Sequence, residues 1–259
     1  MSAVNLSAVN LSAVVLTRNS ERTLRACLAS LIFADEILVI DDDSTDDTVV
    51  VAEELGASVI PHAMAGDFSA QRRFGIQQCR GRWVLFIDSD EVVSDGLKSS
   101  IQQAVLKGAL FSYAFSRVNC FPHYRIEHGS MRSDTVTRLF PKEGLTSEGR
   151  VHEKILSPYP TKRLEGTLRH YPYRDWSATI RKLDQYTSFL AKQQSEQGKK
   201  TGFIVGTLIK PTWAFLKVYF INRGFLDGKM GLMFAIHHAY YTFMKYAKYH
   251  LIANSEGTF

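Results

Sequence analysis

Along the first hundred residues, apolar runs of four to six positions alternate with stretches in which apolar residues recur every third or fourth place. The runs SAVVLT (12–17), EILVI (36–40), ASVI (57–60) and WVLFI (83–87) predict short buried strands. Between and after them, 20–31, 46–55, 68–79 and 94–107 predict helices; in the first, Leu24, Cys27, Leu28 and Leu31 make the stripe and Ser20 is the expected N-cap. Such alternation predicts a mostly parallel sheet with helices on both faces. Ligands of these sheets sit beyond the carboxyl ends of the strands. The polar turns TRNSE, DDDSTDD and DSDE all fall at those ends.

After about residue 108 the period changes. ALFSYAFSRVNCF (109–121), TVTRLF (135–140) and RLEGTLRHY (163–171) alternate like antiparallel strands. Beyond Asp175 the pattern is helical, over roughly 175–197, 203–221 and 230–250, with Pro211 expected to kink or restart the middle helix. The reading is an α/β domain over 12–172 followed by a helical extension over 173–259.

Composition adds a charge split. Residues 1–149 hold 14 Lys+Arg against 19 Asp+Glu, a balance of −5, and residues 150–259 hold 17 against 7, or +10. The basic half calls for an anionic partner: nucleic acid, an acidic lipid surface or a phosphorylated glycan. Its basic residues are dispersed and carry no recognised nucleic-acid motif, so nucleic acid is not expected. Lys245, Lys248, Tyr241, Tyr246 and Tyr249, with Lys210, Lys217, Trp213 and Tyr219 before them, suit a membrane-surface element. The same aromatics could instead pack on the chain's own core or on a second subunit. The pentapeptide SAVNL recurs at the start and is read as a local duplication, not a signal peptide; no 18-residue apolar run predicts a membrane span. Cys27, Cys79 and Cys120 stand apart and are read as reduced packing residues.

The stretch WVLFIDSDEVV drives a buried strand into Asp88, Asp90 and Glu91. Crowded carboxylates need a positive partner. If the backbone stays extended, Asp88 and Asp90 point the same way and can share one Mg²⁺ or Mn²⁺ bridging to a diphosphate. Alone, the same acids read first as helix caps or solvated side chains. DDDSTDDT (41–48) reads either as an acidic approach to a helix or as a nucleobase-reading carboxylate. In AQRRFGI, Arg72 and Arg73 could face the same crevice; in GRVHEKI, His152 and Glu153 could supply a general base.

In combination, VVLTRNSERTLRACLASL, EILVIDDDSTDDT and AQRRFGIQQCRGRWVLFIDSDEVV resemble the family 2 inverting glycosyltransferases, which have the GT-A fold. RLFPKEG, VHEKI, RKLDQYTSFLA and NRGFLDGKMG look like the lipopolysaccharide-core branch, often described as adding glucose to an inner-core heptose. The resemblance implies a nucleotide-sugar part over 12–108 and an acceptor part over 109–172. It places Thr17, Asn19, Glu21, Asp41, Asp42 and Arg72 at a UDP-sugar, and Asp88 and Asp90 at the metal-diphosphate, Asp90 as the direct ligand. In-line attack then needs a carboxylate on the far side to take the acceptor proton; Glu153 is the expected base, with His152 orienting it or binding acceptor, and Asp134 is the alternative. Asp43 stands where many relatives have Gly and Arg73 where Asn is frequent. The implied setting is cytoplasmic, on the inner face of a bacterial inner membrane, with a lipid-linked glycan as acceptor and a possible homo-oligomer. The competing expectations are another cell-surface acceptor, a nucleotidyltransferase, which would show a Gly-rich phosphate loop where LTRNSERTL has no Gly, or a silent scaffold.

Overall fold

The computed structural model describes residues 9–121, 124–149, 154–172 and 175–255. The expected alternation is realised as β1 (Leu11–Thr17), α1 (Glu21–Ala29), β2 (Glu36–Asp41), α2 (Thr48–Glu54), β3 (Ser58–Pro61), α3 (Phe68–Gln78) and β4 (Trp83–Asp88). Next come β5 (Glu91–Val93), α4 (Asp95–Lys107), β6 (Ser112–Phe121), β7 (Tyr124–Arg125), β8 (Asp134–Pro141), β9 (Thr146–Glu148), β10 (Lys154–Leu156) and β11 (Thr161–His170). Helices α5 (Trp176–Glu196), α6 (Lys210–Leu216) and α7 (Gly228–Ser255) follow.

Two compact units result. One holds the described residues up to Arg117 together with Asp134–His170; the other holds Val118–Ser133 and the described residues from Tyr171 onward. The acceptor part expected over 109–172 is therefore divided, and the reason is aromatic packing: Phe121, Ile126 and Met131 share a cluster with Trp176 and Phe234 of the helical unit.

In the first unit the strand order is β3-β2-β1-β4-β8-β6-β11-β5. β3, β2, β1 and β4 are parallel, whereas β8 runs antiparallel to β4 and β6 antiparallel to β8. β1 and β4 are covered on both faces, which is why they read as unbroken apolar runs. Val15 and Leu85 face Leu24, Leu28, Leu97 and Ile101 of α1 and α4. Val14 and Phe86 face the opposite way, toward Ile76 and Cys79. Helix α3 lies close on β1: a Cβ at Gly75 would come within 2.8 Å of Val14 Cγ1. Any larger residue there must displace Val14 or the helix.

The helix after the acidic tip is capped by Ser94, whose Oγ accepts the Leu97 N–H at 3.3 Å, and it ends on left-handed Gly108. The acids before it are thus not its caps. Ser20 does stand at the start of α1, but its side chain caps nothing; it meets Ser89 Oγ at 2.8 Å and so ties the first turn to the acidic tip.

In the helical unit, residues 203–221 wind continuously, with wide i→i+5 turns at Val205–Ile209 and Lys217–Ile221 around α6. Pro211 lies in the first turn of α6, where the widened turn before it absorbs the missing N–H. Tyr246 and Tyr249 are buried, 9% and 7% exposed, and Lys248 Nζ donates to Asp184 Oδ1 at 2.7 Å. These residues of the basic tail pack on the unit's own helices. Trp213 does not; it is 57% exposed. Among the described residues, no helix is long and apolar enough to cross a membrane.

Candidate active site

The carboxyl ends of the parallel strands are in register: Thr17 lies opposite Asp41, Asp41 opposite Pro61, and Leu16 opposite Asp88. Hydrogen bonds stitch this edge together. Thr17 Oγ1 donates to Asp41 Oδ1 at 3.0 Å, and Asp41 also accepts from the Ser44 N–H at 2.9 Å and its hydroxyl at 2.6 Å. Asn19 adopts φ +49°, its N–H donating to Ser44 Oγ and its Oδ1 accepting the Thr45 N–H at 2.8 Å. Glu21 accepts the Asp47 N–H at 3.3 Å. The sequence spreads these residues over two turns; the structure makes them one cross-linked rim.

Asp42 is buried, its Oδ1 accepting the Met64 N–H at 2.8 Å and its Oδ2 accepting from Arg18 at 2.9 Å. Asp43 takes the left-handed conformation at φ +49°, which explains why glycine suits this place and why Asp, tolerant of that region, can stand in for it. His62 stacks on Phe74 with ring centroids 3.9 Å apart, and its backbone N–H donates to Asp41 O at 2.8 Å.

At the acidic tip, β4 ends at Asp88, Ser89 and Asp90 form a turn, and β5 starts at Glu91. The extended backbone that would aim both aspartates alike is therefore broken. Asp88 is held by Arg138 and, at 3.4 Å, by Arg72 Nη2. Burial works to raise its pKa, but the charges of Arg138 and Arg72 outweigh that and hold the carboxyl well below the usual range. Glu91 is fully buried; Arg138 reaches it at 3.1 Å and Arg117 at 3.3 Å, while its Oε2 accepts the Asp88 N–H at 2.9 Å. Its pKa goes the other way, raised by burial and then by the charge of Asp88. Asp90 points elsewhere, its Oδ2 lying 3.4 Å from Nε2 of His170. The β5–β11 ladder, which pairs Glu91 with His170, delivers that histidine.

Much of the tip's positive charge thus comes from arginines that the sequence did not flag. Arg138 reaches the carboxylates through a β-bulge: adjacent Tyr113 and Ala114 of β6 pair with Leu139 and Thr137, so Arg138 is surplus to the ladder. Bulges re-aim side chains in this way. The only trace in the sequence is a charged residue inside the apolar alternation TVTRLF. Arg72 is buried on α3 with its guanidinium 5.2 Å over the Phe86 ring. Arg73 faces away and ties α3 to β9, donating to Ser147 O at 2.6 Å. Asp134 is gripped bidentately by Arg117 at 3.0 and 2.7 Å, which occupies both oxygens of the alternative base. His152 and Glu153 lie outside the described residues.

A parallel sheet whose acidic strand ends meet buried arginines, followed by antiparallel strands, is the framework of a GT-A glycosyltransferase. The chain belongs to glycosyl transferase family 2, whose profile matches residues 12–186. An uncharacterized glycosyltransferase of Rickettsia prowazekii is 30% identical over 90% of this chain and 84% of its own length. The lipopolysaccharide core biosynthesis glycosyltransferase LpsC of Rhizobium meliloti is 26% identical over 90% of this chain and 89% of its own. The crystal structure of Mycobacterium tuberculosis glucosyl-3-phosphoglycerate synthase with Mn²⁺, UDP and glucosyl-3-phosphoglycerate aligns at 23% identity and a TM-score of 0.34. That alignment covers 43% of this chain and less than half, 44%, of the synthase.

Proposed function

We propose that the protein transfers a hexose, glucose being the first candidate, from a UDP-sugar to a lipid-linked glycan such as lipopolysaccharide core, with inversion at the anomeric carbon. The observation that carries this is Asp90: it is the acid of the tip turned away from the arginines and toward His170. Family membership supports the reaction class, and the relative named for core biosynthesis supports the acceptor class.

In this reading Asp41 and Asp42 line the nucleobase end, Asp42 reading the uracil ring, with Thr17, Asn19 and Glu21 fixing the turns around them. Arg72 lies at the diphosphate. A Mg²⁺ or Mn²⁺ ion fits the chemistry of the donor set: Asp90 offers a hard carboxylate oxygen turned away from the arginines, and the diphosphate would supply further oxygens. Asp90 and His170 would hold it, and Asp88, balanced by two guanidiniums, would set the tip's shape and charge. When bound, the cation would neutralise charge growing on the departing diphosphate. Glu153 takes the proton of the acceptor hydroxyl as that oxygen attacks the anomeric carbon, and His152 orients it.

Glu153→Gln is expected to keep UDP affinity within about twofold while kcat falls about 10²-fold or more. Turnover persisting in that variant would move the base elsewhere. Release of UDP, rather than pyrophosphate, separates transfer of a sugar from nucleotidyl transfer. The turn TRNSE, lacking glycine, already favours the former.

Membrane-surface association belongs to the same reading. The outward side of residues 203–221 is apolar: Phe203, Ile204, Leu208, Trp213, Phe220 and Ile221 are all more than half exposed. An apolar stripe beside lysines fits the interface of an anionic bilayer. Trp213→Glu is expected to weaken co-sedimentation with phosphatidylglycerol vesicles by about tenfold, and unchanged sedimentation would remove this face from membrane contact.

A further inference from the structure

A cavity of about 450 Å³ opens in the first unit, lined by residues of α3, β6, β8, β10, the turn after β10 and the start of β11. Its volume falls in the range of about 300–1,000 Å³ usual for small-molecule sites and exceeds what one inorganic anion fills. Among the described residues, Arg72, Arg138 and Lys154 line it, and no Asp or Glu does. Hydroxyls of Thr137, Ser157 and Tyr159 add polar contacts, the Tyr159 hydroxyl donating to Glu143 Oε2 at 3.2 Å.

Two of these cations are buried, the Arg72 and Arg138 side chains being 6% and 10% exposed. A buried guanidinium is costly unless its donors are satisfied. Asp88 and Glu91 satisfy one terminal nitrogen of Arg138, yet its buried Nε has no hydrogen-bond partner among the described residues. Lys154 forms no ion pair among the described residues, and it directly follows Glu153 in the chain. Thr17, Asp41 and Asp42, the nucleotide end of the edge, do not line the cavity. It is a separate, cation-rich and hydroxyl-rich chamber that shares Arg72 and Arg138 with the acidic tip.

We infer that this chamber is the acceptor subsite and that it selects an anionic sugar, one carrying a phosphate or a carboxylate. The inference rests on the transferase reading above and names the substrate class. Arg138 and Lys154 take the negative group, Arg72 being left to the donor diphosphate, and the hydroxyls take the ring.

The test uses the whole chain with defined probes. Glucose 6-phosphate, glucuronate and glucose are titrated by calorimetry with and without saturating UDP and Mn²⁺. Both anions are expected to bind at least about tenfold more tightly than glucose, and the tighter of the two names the charged group of the natural acceptor. Lys154→Glu, a change at an exposed position, is expected to weaken both anions by about tenfold or more while UDP affinity stays within twofold. Anion binding unaffected by Lys154→Glu, or lost whenever UDP is present, overturns the inference; the latter would assign the chamber to the donor diphosphate. Intact anion binding in a chain that never turns over any UDP-sugar would instead overturn the transferase reading.

Discussion

Asp90→Ala is expected to lower Mn²⁺-dependent UDP-sugar turnover by about 10³-fold while leaving the fold intact. Asp90 sits in a two-residue turn with its side chain 31% exposed, and it faces His170. Removing it uncovers no buried charge, so the stability change should stay within about 0.5 kcal/mol. Catalytically the change removes a carboxylate where diphosphate charge must be met, and such preorganised groups are worth about 10²–10³ each, with a bound cation adding several kcal/mol. Initial rates of UDP release across a Mn²⁺ titration decide the matter, alongside a thermal melt. His170→Ala should shift the Mn²⁺ dependence in the same direction and more mildly. Full activity in Asp90→Ala would remove this residue from the metal site.

Arg138→Met should have the largest effect on stability, about 3–5 kcal/mol, because it strands buried Glu91 and half-buried Asp88 without their shared cation. Asp88 and Glu91 both rely on Arg138, and burial raises the pKa of Glu91 even with that arginine present. Adding Glu91→Gln removes one stranded charge and should recover at least about 1 kcal/mol. The sign with pH follows from the two carboxyls. In the parent the depressed pKa of Asp88 contributes stability above the ordinary aspartate range, and that contribution is lost on acidification. The variant lacks it, so the deficit is largest at neutral pH and closes as both proteins are taken into acid. Urea melts at two pH values measure both effects, and a loss below 1 kcal/mol at neutral pH would contradict the role assigned to Arg138.

The parallel half was legible because β1 and β4, buried on both faces, cannot alternate and so stand out as unbroken apolar runs. Thr17 and Asp88 were legible for the same reason, since they fall where those runs stop, and Asp41 and Asp42 because they end the apolar run of β2. Arg138 and Arg117 were not, because they come from antiparallel strands whose register to β4 no local pattern reveals. His170 needed the three-residue β5, too short to show a period, to bring it beside the tip. Within the tail, Tyr246 and Trp213 look alike as sequence. Only helix packing separates the buried phenol, bonded to Lys210 at 2.8 Å, from the exposed indole.

The surplus residue in β8 makes strand length itself part of the charge balance. Excising one residue between Thr137 and Leu139 would leave β6 and β8 to zip without a slip, even if arginine were kept nearby. Side chains on one flank of the cut would swap faces, and the guanidinium would lose its aim at Asp88 and Glu91. A relative that conserves the arginine but lacks the extra unit of chain would need another cation to quiet the same two acids.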